Sequence, residues 1–301
     1  MEHHSHTDGH HHHHHIISSG QDSSNIAFAF WLNFSFCLLE FGGGVFTNSI
    51  AIMADALHDL GDSLALGLAW YFQRLSTKER DGYFSYGYGR FSLLGAFINA
   101  TVLLVGALVV MREVFNRLLA PQDTYAEGMF VFAILGILVN GAAVIRLNKG
   151  TSLNSRVAAL HLLEDVLGWF AVLVGSLVMY FTNWTIIDPI LSLFINFFIL
   201  FHVYKSLKST FRVLLQGVPS HVDEAKVRER ILAIDNVKDL HDLHLWTLDY
   251  EYHIMTVHLV VHEMVRISEL KQEVRHILHH LHITHVTIEI ETEAEPCVWV
   301  E

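Results

Sequence analysis

The sequence predicts an α-helical membrane protein, with six transmembrane helices followed by a C-terminal α+β domain in the order α-β-β-α-β. Three observations carry that prediction. Hydrophobic residues make up 52% of the 301 residues and charged residues only 17%. Apolar runs near the length needed to cross a hydrocarbon core recur along the first two thirds of the chain. Around Gln216-Gly217-Val218-Pro219 the composition changes, and shorter patterns of period 2 and period 3.6 take over.

Residues 1–25 are polar and His-rich, with His3, His4, His6 and an unbroken run from His10 to His15. Such tracts bind metal by composition, although an affinity tag has the same look. The segment has nothing to bury and is expected to be a disordered tail. It lacks the basic start of a cleavable signal peptide. Six spans follow at Ile26–Phe46, Asn48–Phe72, Phe91–Phe115, Glu127–Leu147, Val157–Phe181 and Ile186–Tyr204. They define a transmembrane domain of residues 26–215. The connecting loops are short, so successive helices should be antiparallel neighbours.

Orientation follows from the basic residues. With the N-terminus in the cytoplasm, Arg74, Lys78, Arg80, Arg90, Arg146, Lys149, Arg156, Lys205, Lys208 and Arg212 fall on the cytoplasmic side, against Arg112 and Arg117 opposite. This satisfies the positive-inside rule and puts both termini in the cytoplasm.

Residues 216–301 form the predicted cytoplasmic domain. Val222–Ile234 reads as a helix through Val227, Ile231 and Ile234, and Asp239–Asp249 as a strand. Tyr252–His262 alternates, with Met255, Val257, Leu259 and Val261 on one face and Thr256, His258 and His262 on the other. Ser268–His282 carries a helical stripe of Leu270, Val274, Ile277, Leu278 and Leu281. His285–Glu291 alternates again, with Val286, Ile288 and Ile290 inward and His285, Thr287, Glu289 and Glu291 outward. A small antiparallel sheet with helices on one face accommodates this order.

Chemistry concentrates inside two of the spans. Asp55, His58, Asp59 and Asp62 share one helical face in the second, and His161, Glu164 and Asp165 share one in the fifth. A charge facing lipid would cost about 2.5–3.5 kcal/mol, so these faces must point inward, and such residues are functional candidates by default. Each face holds a His four residues before an Asp, on neighbouring turns. Two imidazoles and two carboxylates are a ligand set and number that tetrahedral Zn²⁺ favours, whereas Ca²⁺ and Mg²⁺ prefer oxygen alone. Binding requires neutral His and ionised Asp, so metal and protons compete. Such a site becomes a metal–proton exchanger if it faces the two sides of the membrane in turn. Glu40, Asn99 and Asn140 read as structural hydrogen-bonding groups. Asp188-Pro189 reads as chemistry of its own helix end.

Other classes fit poorly. The net charge of −12 argues against a nucleic-acid partner. Cys37 and Cys297 form no CxxC pattern, so neither a disulfide framework nor a cysteine metal site is expected. An intramembrane metalloprotease would need an open coordination position and a general base, and only Glu164 beside His161 is suggestive. A fully ligated tetrahedral site makes a poor channel filter. A membrane-anchored zinc sensor without transport is the alternative function.

The residues Glu40-x-x-Gly43, Asn48-Ser49-x-Ala51, Asp55-Ala56-x-His58-x-x-x-Asp62 and His161-x-x-x-Asp165 resemble the cation diffusion facilitator family, in its zinc-type branch. That resemblance covers nearly the whole chain. It implies a homodimeric antiporter that exports Zn²⁺, with Cd²⁺ and Co²⁺ as further cargo, in exchange for protons. It also implies a metallochaperone-like C-terminal domain and no enzymatic activity or organic cofactor. His58, Asp62, His161 and Asp165 match the family's four transport ligands; Asp55, Asp59 and Glu164 are then supporting groups. His241 and His258 fall on ligand positions of the family's regulatory domain, with Glu291 near a third and His285 close by. The loop after the second span has aromatics, Phe84-Ser85-Tyr86-Gly87-Tyr88, where some members carry metal-binding histidines, so no metal is expected there. The Asn148–Ser155 loop is short and lacks the histidines many members carry. The expected location is the bacterial inner (cell) membrane.

Overall fold

The structure is a computed structural model that describes the backbone of residues 20–147 and 153–295, and side chains there except at 20–29, 32, 73, 147 and 153–158. The His run, Cys297 and residues 148–152 lie outside the described residues. Six long helices come first: α1 (Gly20–Thr47), α2 (Ile50–Ser76), α3 (Phe91–Leu119), α4 (Ala126–Leu147), α5 (Leu153–Thr182) and α6 (Ile187–Leu214). Then come α7 (Glu224–Leu232), β1 (Val237–Thr247), β2 (His253–Val261), α8 (Ile267–His280) and β3 (His285–Thr292). Helix α1 already begins at Gly20, inside the stretch expected to be tail.

Among the described residues, four helices are long and apolar enough to cross a membrane: Phe91–Leu119, Ala126–Arg146, Ala159–Thr182 and Ile187–Leu214. The molecule is therefore a multi-pass helical membrane protein. The six-span expectation exceeds this number. For α2 the reason is physical: Asp55, Asp59 and Asp62 load one helix with more acidic groups than a plain apolar span carries. Exposed Val105, Leu108, Val109, Phe194 and Phe197 on α3 and α6 are what lipid-facing surfaces require.

The chain divides into two compact units. One holds the chain up to Ser63 with Val114–Ser192; the other holds Leu64–Glu113 with the chain from Leu193 on. The first unit has a core of Phe36, Ile52, Met129, Ala133, Trp169, Val172 and Met179. Its α1–α2 turn is pinned tightly. Asn48 adopts a φ of 53°, which Asn tolerates better than most residues. Arg117 donates to its backbone carbonyl (2.6 Å) and its side-chain oxygen (2.9 Å). The first turn of α2 is capped from a distant part of the chain. Asp188 accepts from the Ser49 hydroxyl (2.5 Å), the Ile50 N–H (2.9 Å) and the Ala51 N–H (3.2 Å). Ser49 Oγ in turn accepts from the Ile52 N–H at 3.2 Å. Asp188 thus complements the exposed donors of α2, a different role from the one expected at the start of its own helix.

In the second unit the predicted α-β-β-α-β order is present, with ends shifted by one to a few residues. Asp223 caps α7 by accepting from the Ala225 N–H. Val227 and Ile231 of α7 pack with Leu270, Val274 and Leu278 of α8 against Leu240, Leu245, Met255, Val257 and Leu259 of the sheet. The sheet order is β1-β2-β3. It is mixed rather than antiparallel: β1 and β2 are antiparallel, but β2 and β3 are parallel. Helix α8 is the crossover that makes the parallel pair possible, as parallel neighbours require.

Replacing Asp188 by Ala leaves three buried donors without their acceptor, which should cost about 1–3 kcal/mol. The melting temperature in detergent should fall clearly for Asp188→Ala and remain unchanged for Asp123→Ala, an exposed acidic residue that serves Asn48 only through its carbonyl.

Candidate metal centres

Helices α2 and α5 bring the two His-x-x-x-Asp pairs together in the first unit. His161 Nε2 lies 2.7 Å from Asp62 Oδ2. His58 Nε2 lies 3.7 Å from the same Asp62 oxygen and 3.9 Å from Asp165 Oδ1. The two imidazole rings meet at 5.5 Å between centroids, 71° apart in plane. Donor atoms of His58, Asp62 and His161 all lie within 4.8 Å of one another. Asp165 borders this triad through His58, is buried, and keeps its Oδ2 without a hydrogen-bond partner. All four predicted residues thus converge on one place, three tightly and the fourth beside them.

The neighbours divide as the helical faces suggest, with one exception. Asp55 and Asp59 are buried. Asn33 donates to the Asp59 carbonyl (3.1 Å) and to Ser63 Oγ (3.3 Å), and the Cys37 thiol faces the Ala56 carbonyl at 3.2 Å, so α1 is tied to the middle of α2. Glu40 is wholly buried and within electrostatic reach of Asp55. Glu164, by contrast, is exposed, although it stays within electrostatic reach of His161 and Asp165. Its place at i+3 from His161 put it on the rim of the predicted face, where a small rotation of the helix decides the outcome.

Trp169 sets that rotation. It lies one turn beyond Asp165, is fully buried, and meets Phe36 edge-on at 5.8 Å. Gly136 of α4 provides the space: a Cβ there would overlap the indole ring.

A second cluster stands on the sheet of the other unit. His241 and His258 are direct partners across β1 and β2. Their rings are 5.4 Å apart. Glu291 of β3 joins both, with Oε1 2.7 Å from His258 Nδ1 and Oε2 3.1 Å from His241 Nε2. Donor atoms of His241, His258 and Glu291 also lie within 4.8 Å of one another. Glu291 shares the polar sheet face with Glu289 and His258, as expected, but is only 8% exposed, covered by the two rings. His285 is not part of this cluster. It pairs with Ile254 and places its ring edge-on to Tyr86 at 5.9 Å. Asp242 and Glu289 take the vacant role beside His258 Nε2, at 3.4 and 3.3 Å. Asp242 was missed because it sits at an irregularity between His241 and His244, with a φ of 48°. A regular strand would have pointed it to the opposite face from His241.

The aromatic loop after α2 is organised by Asp81. Its carboxylate accepts from the Tyr88 hydroxyl (2.7 Å) and from the N–H groups of Tyr83 and Phe84. The Tyr88 hydrogen bond, then these backbone donors, hold Asp81 below the usual carboxylate range.

Comparison with known proteins places the chain. Residues 26–215 match the cation efflux transmembrane domain, and residues 219–293 match the cation efflux protein cytoplasmic domain. The chain belongs to the cation efflux family. The metal cation efflux system protein CzcD of Cupriavidus metallidurans is 36% identical, over 92% of this chain and 89% of that protein. The zinc transporter ZitB of Yersinia pestis is 34% identical, over 91% and 89%. A cadmium, cobalt and zinc/H(+)-K(+) antiporter of Bacillus subtilis is 31% identical, over 92% and 91%. Among solved structures, the metal-bound C-terminal domain of the Cupriavidus CzcD transporter is 42% identical, covering 23% of this chain and 99% of that one, with a TM-score of 0.22.

Gly136→Val should force Trp169 out of its slot and cost about 1–3 kcal/mol through overpacking. Thermal unfolding in detergent should show a marked loss for this variant and little for Gly141→Val, since a Cβ at Gly141 meets nothing within 4 Å.

Proposed function

We propose that this protein exports Zn²⁺ from the cytoplasm in exchange for protons, with Cd²⁺ and Co²⁺ as further cargo. The convergence of His58, Asp62, His161 and Asp165 carries the reading. Four donors of mixed nitrogen and oxygen character suit a borderline, tetrahedral cation. The relatives' names support cation efflux, and the antiporter among them supports a proton counter-ion.

Asp62 is the pivot. One carboxylate oxygen serves His58 and His161 at once. While protonated, an imidazole donates to that carboxylate and the cluster is satisfied without metal. An arriving cation takes the imidazole lone pairs and displaces those protons. The reverse exchange releases it on the other side. A cation held by such charged ligands inside a membrane would otherwise be bound too tightly to leave, so competition between proton and metal is what releases the cargo. No bond of the cargo is made or broken covalently, and the protein is not an enzyme in this reading.

The remaining features complete the proposal. All six long helices cross the inner membrane of a bacterial cell, residues 26–215 form the membrane domain, and both termini are cytoplasmic. Residues 216–301 form the cytoplasmic domain, where His241, His258 and Glu291 bind zinc and report its cytoplasmic level. Two copies assemble as a homodimer, in keeping with the family to which the C-terminal domain belongs.

In proteoliposomes, zinc flux should follow an imposed proton gradient and fall at least about 100-fold in Asp62→Ala, as expected when a ligand that both histidines share is lost. Flux in the intact protein that ignores the gradient would replace antiport by facilitated diffusion. Zinc binding without any flux would favour the sensor. Loss of Glu291 tests the second cluster: groups that merely orient a ligand are worth 10–100-fold in affinity, so Glu291→Ala should weaken zinc binding at that site by at least about tenfold in calorimetric titration, leaving flux at saturating zinc intact.

A further inference from the structure

Outside the two clusters, one pair of histidines meets at ligand distance in a partly buried place. His221 lies between α6 and α7, and His253 opens β2. Their Nε2 atoms are 2.8 Å apart, with ring centroids at 4.7 Å and planes at 49°. His253 is 2% exposed, while His221 is exposed. The backbone of His253 is fixed: it pairs with Thr247 on β1, and its carbonyl accepts from both the N–H and the hydroxyl of Thr284. Burial, then His221, then His282 push His253 below the ordinary imidazole range, with Asp249 pulling the other way. His253 is therefore held in the neutral form that ligates metals.

Two imidazoles facing each other through Nε2 share a single proton in a hydrogen bond. The same approach suits a shared cation. With metal–nitrogen bonds of 2.0–2.1 Å, two ligands of a tetrahedral site lie about 3.3 Å apart. Opening the pair by about half an ångström reaches that spacing, and the exposed His221 is free to supply the movement. His282, in the turn after α8, lies near enough for its charge to act on His253, and water completes the shell of a cation held by the pair. The exposed pair His276 and His280 has a similar nitrogen spacing, 3.3 Å, but both sit on α8 and would tie no separate segments together.

We propose that His221 and His253 form a further site for a borderline divalent cation such as Zn²⁺, distinct from the His241–His258–Glu291 cluster. Its ligands come from two separate stretches: the segment leaving α6 and the first residue of β2. A cation there clips the 215–223 segment to the sheet. The segment that continues directly from the last long helix thereby becomes a zinc-dependent strap.

Amide hydrogen exchange on the full chain in detergent micelles, with and without Zn²⁺, tests this independently of any flux. The comparison is made in a His241→Ala/His258→Ala background, so that the neighbouring cluster is silent. Zinc at 100 times its dissociation constant should slow exchange in residues 218–223 about 100-fold. His221→Ala, a change at an exposed position, should abolish that protection, and His276→Ala should retain it. Exchange in this segment that is indifferent to zinc, or equally slowed in His221→Ala, would overturn the proposal and leave a shared-proton hydrogen bond.

Discussion

An ionisable side chain in an apolar helix has to find another polar group, and that constraint organises the membrane part of this molecule. Water is absent, so each carboxylate and imidazole on α2 and α5 is stable only opposite a partner. The 2.7 Å contact between His161 and Asp62 is the direct expression of this rule. It locks two helices face to face, and it does so with groups whose chemistry allows a proton to be exchanged for a metal ion. One interaction therefore serves both packing and the proposed transport chemistry. Asp165, buried beside this pair, keeps one carboxylate oxygen without a hydrogen-bond partner.

Holding such a cluster open demands a rigid frame. The frame is built from contacts remote in sequence. Asp188 and Ser49 seat the first turn of α2, and Arg117 grips the turn before it. These fix where α2 starts and hence the height of His58 and Asp62, about two and three turns further on. Trp169 against Gly136 and Phe36 fixes the rotation of α5, and hence which side of that helix carries His161 and Asp165. Donor positions accurate to a fraction of an ångström follow from this support rather than from the ligands themselves.

Local periodicity made much of this legible in advance. His58 with Asp62 and His161 with Asp165 are related by one helical turn, so their shared faces could be read from spacing alone. The αββαβ order was legible for the same reason, because Met255, Val257 and Leu259 alternate and Leu270, Val274 and Leu278 recur by turns. What spacing cannot carry is a partner far along the chain. Asp188 looked like the cap of its own helix, yet it caps α2, because the donors it satisfies lie in a turn that only tertiary folding brings near. His285 was placed at the sheet cluster by proximity in sequence to Glu291, but it sits at the start of β3, several residues along the strand from the Glu291 site. Asp242 was hidden by a bulge that no residue pattern announces. The parallel β2–β3 pair was hidden too, although the helix between those strands was itself foreseen. His221 and His253 belong to the same class: 32 positions separate them, and neither stands in a motif.

X-ray absorption at the zinc edge tests the central claim most directly. The sample is the purified chain with the histidines of residues 1–25 and His221, His241 and His258 all replaced by Ala, so that bound zinc reports the membrane cluster. The account predicts four nitrogen and oxygen neighbours at about 2.0–2.1 Å, with imidazole scattering beyond them, and loss of that signal in Asp62→Ala. A six-coordinate, all-oxygen shell, or zinc bound equally well without Asp62, would contradict it.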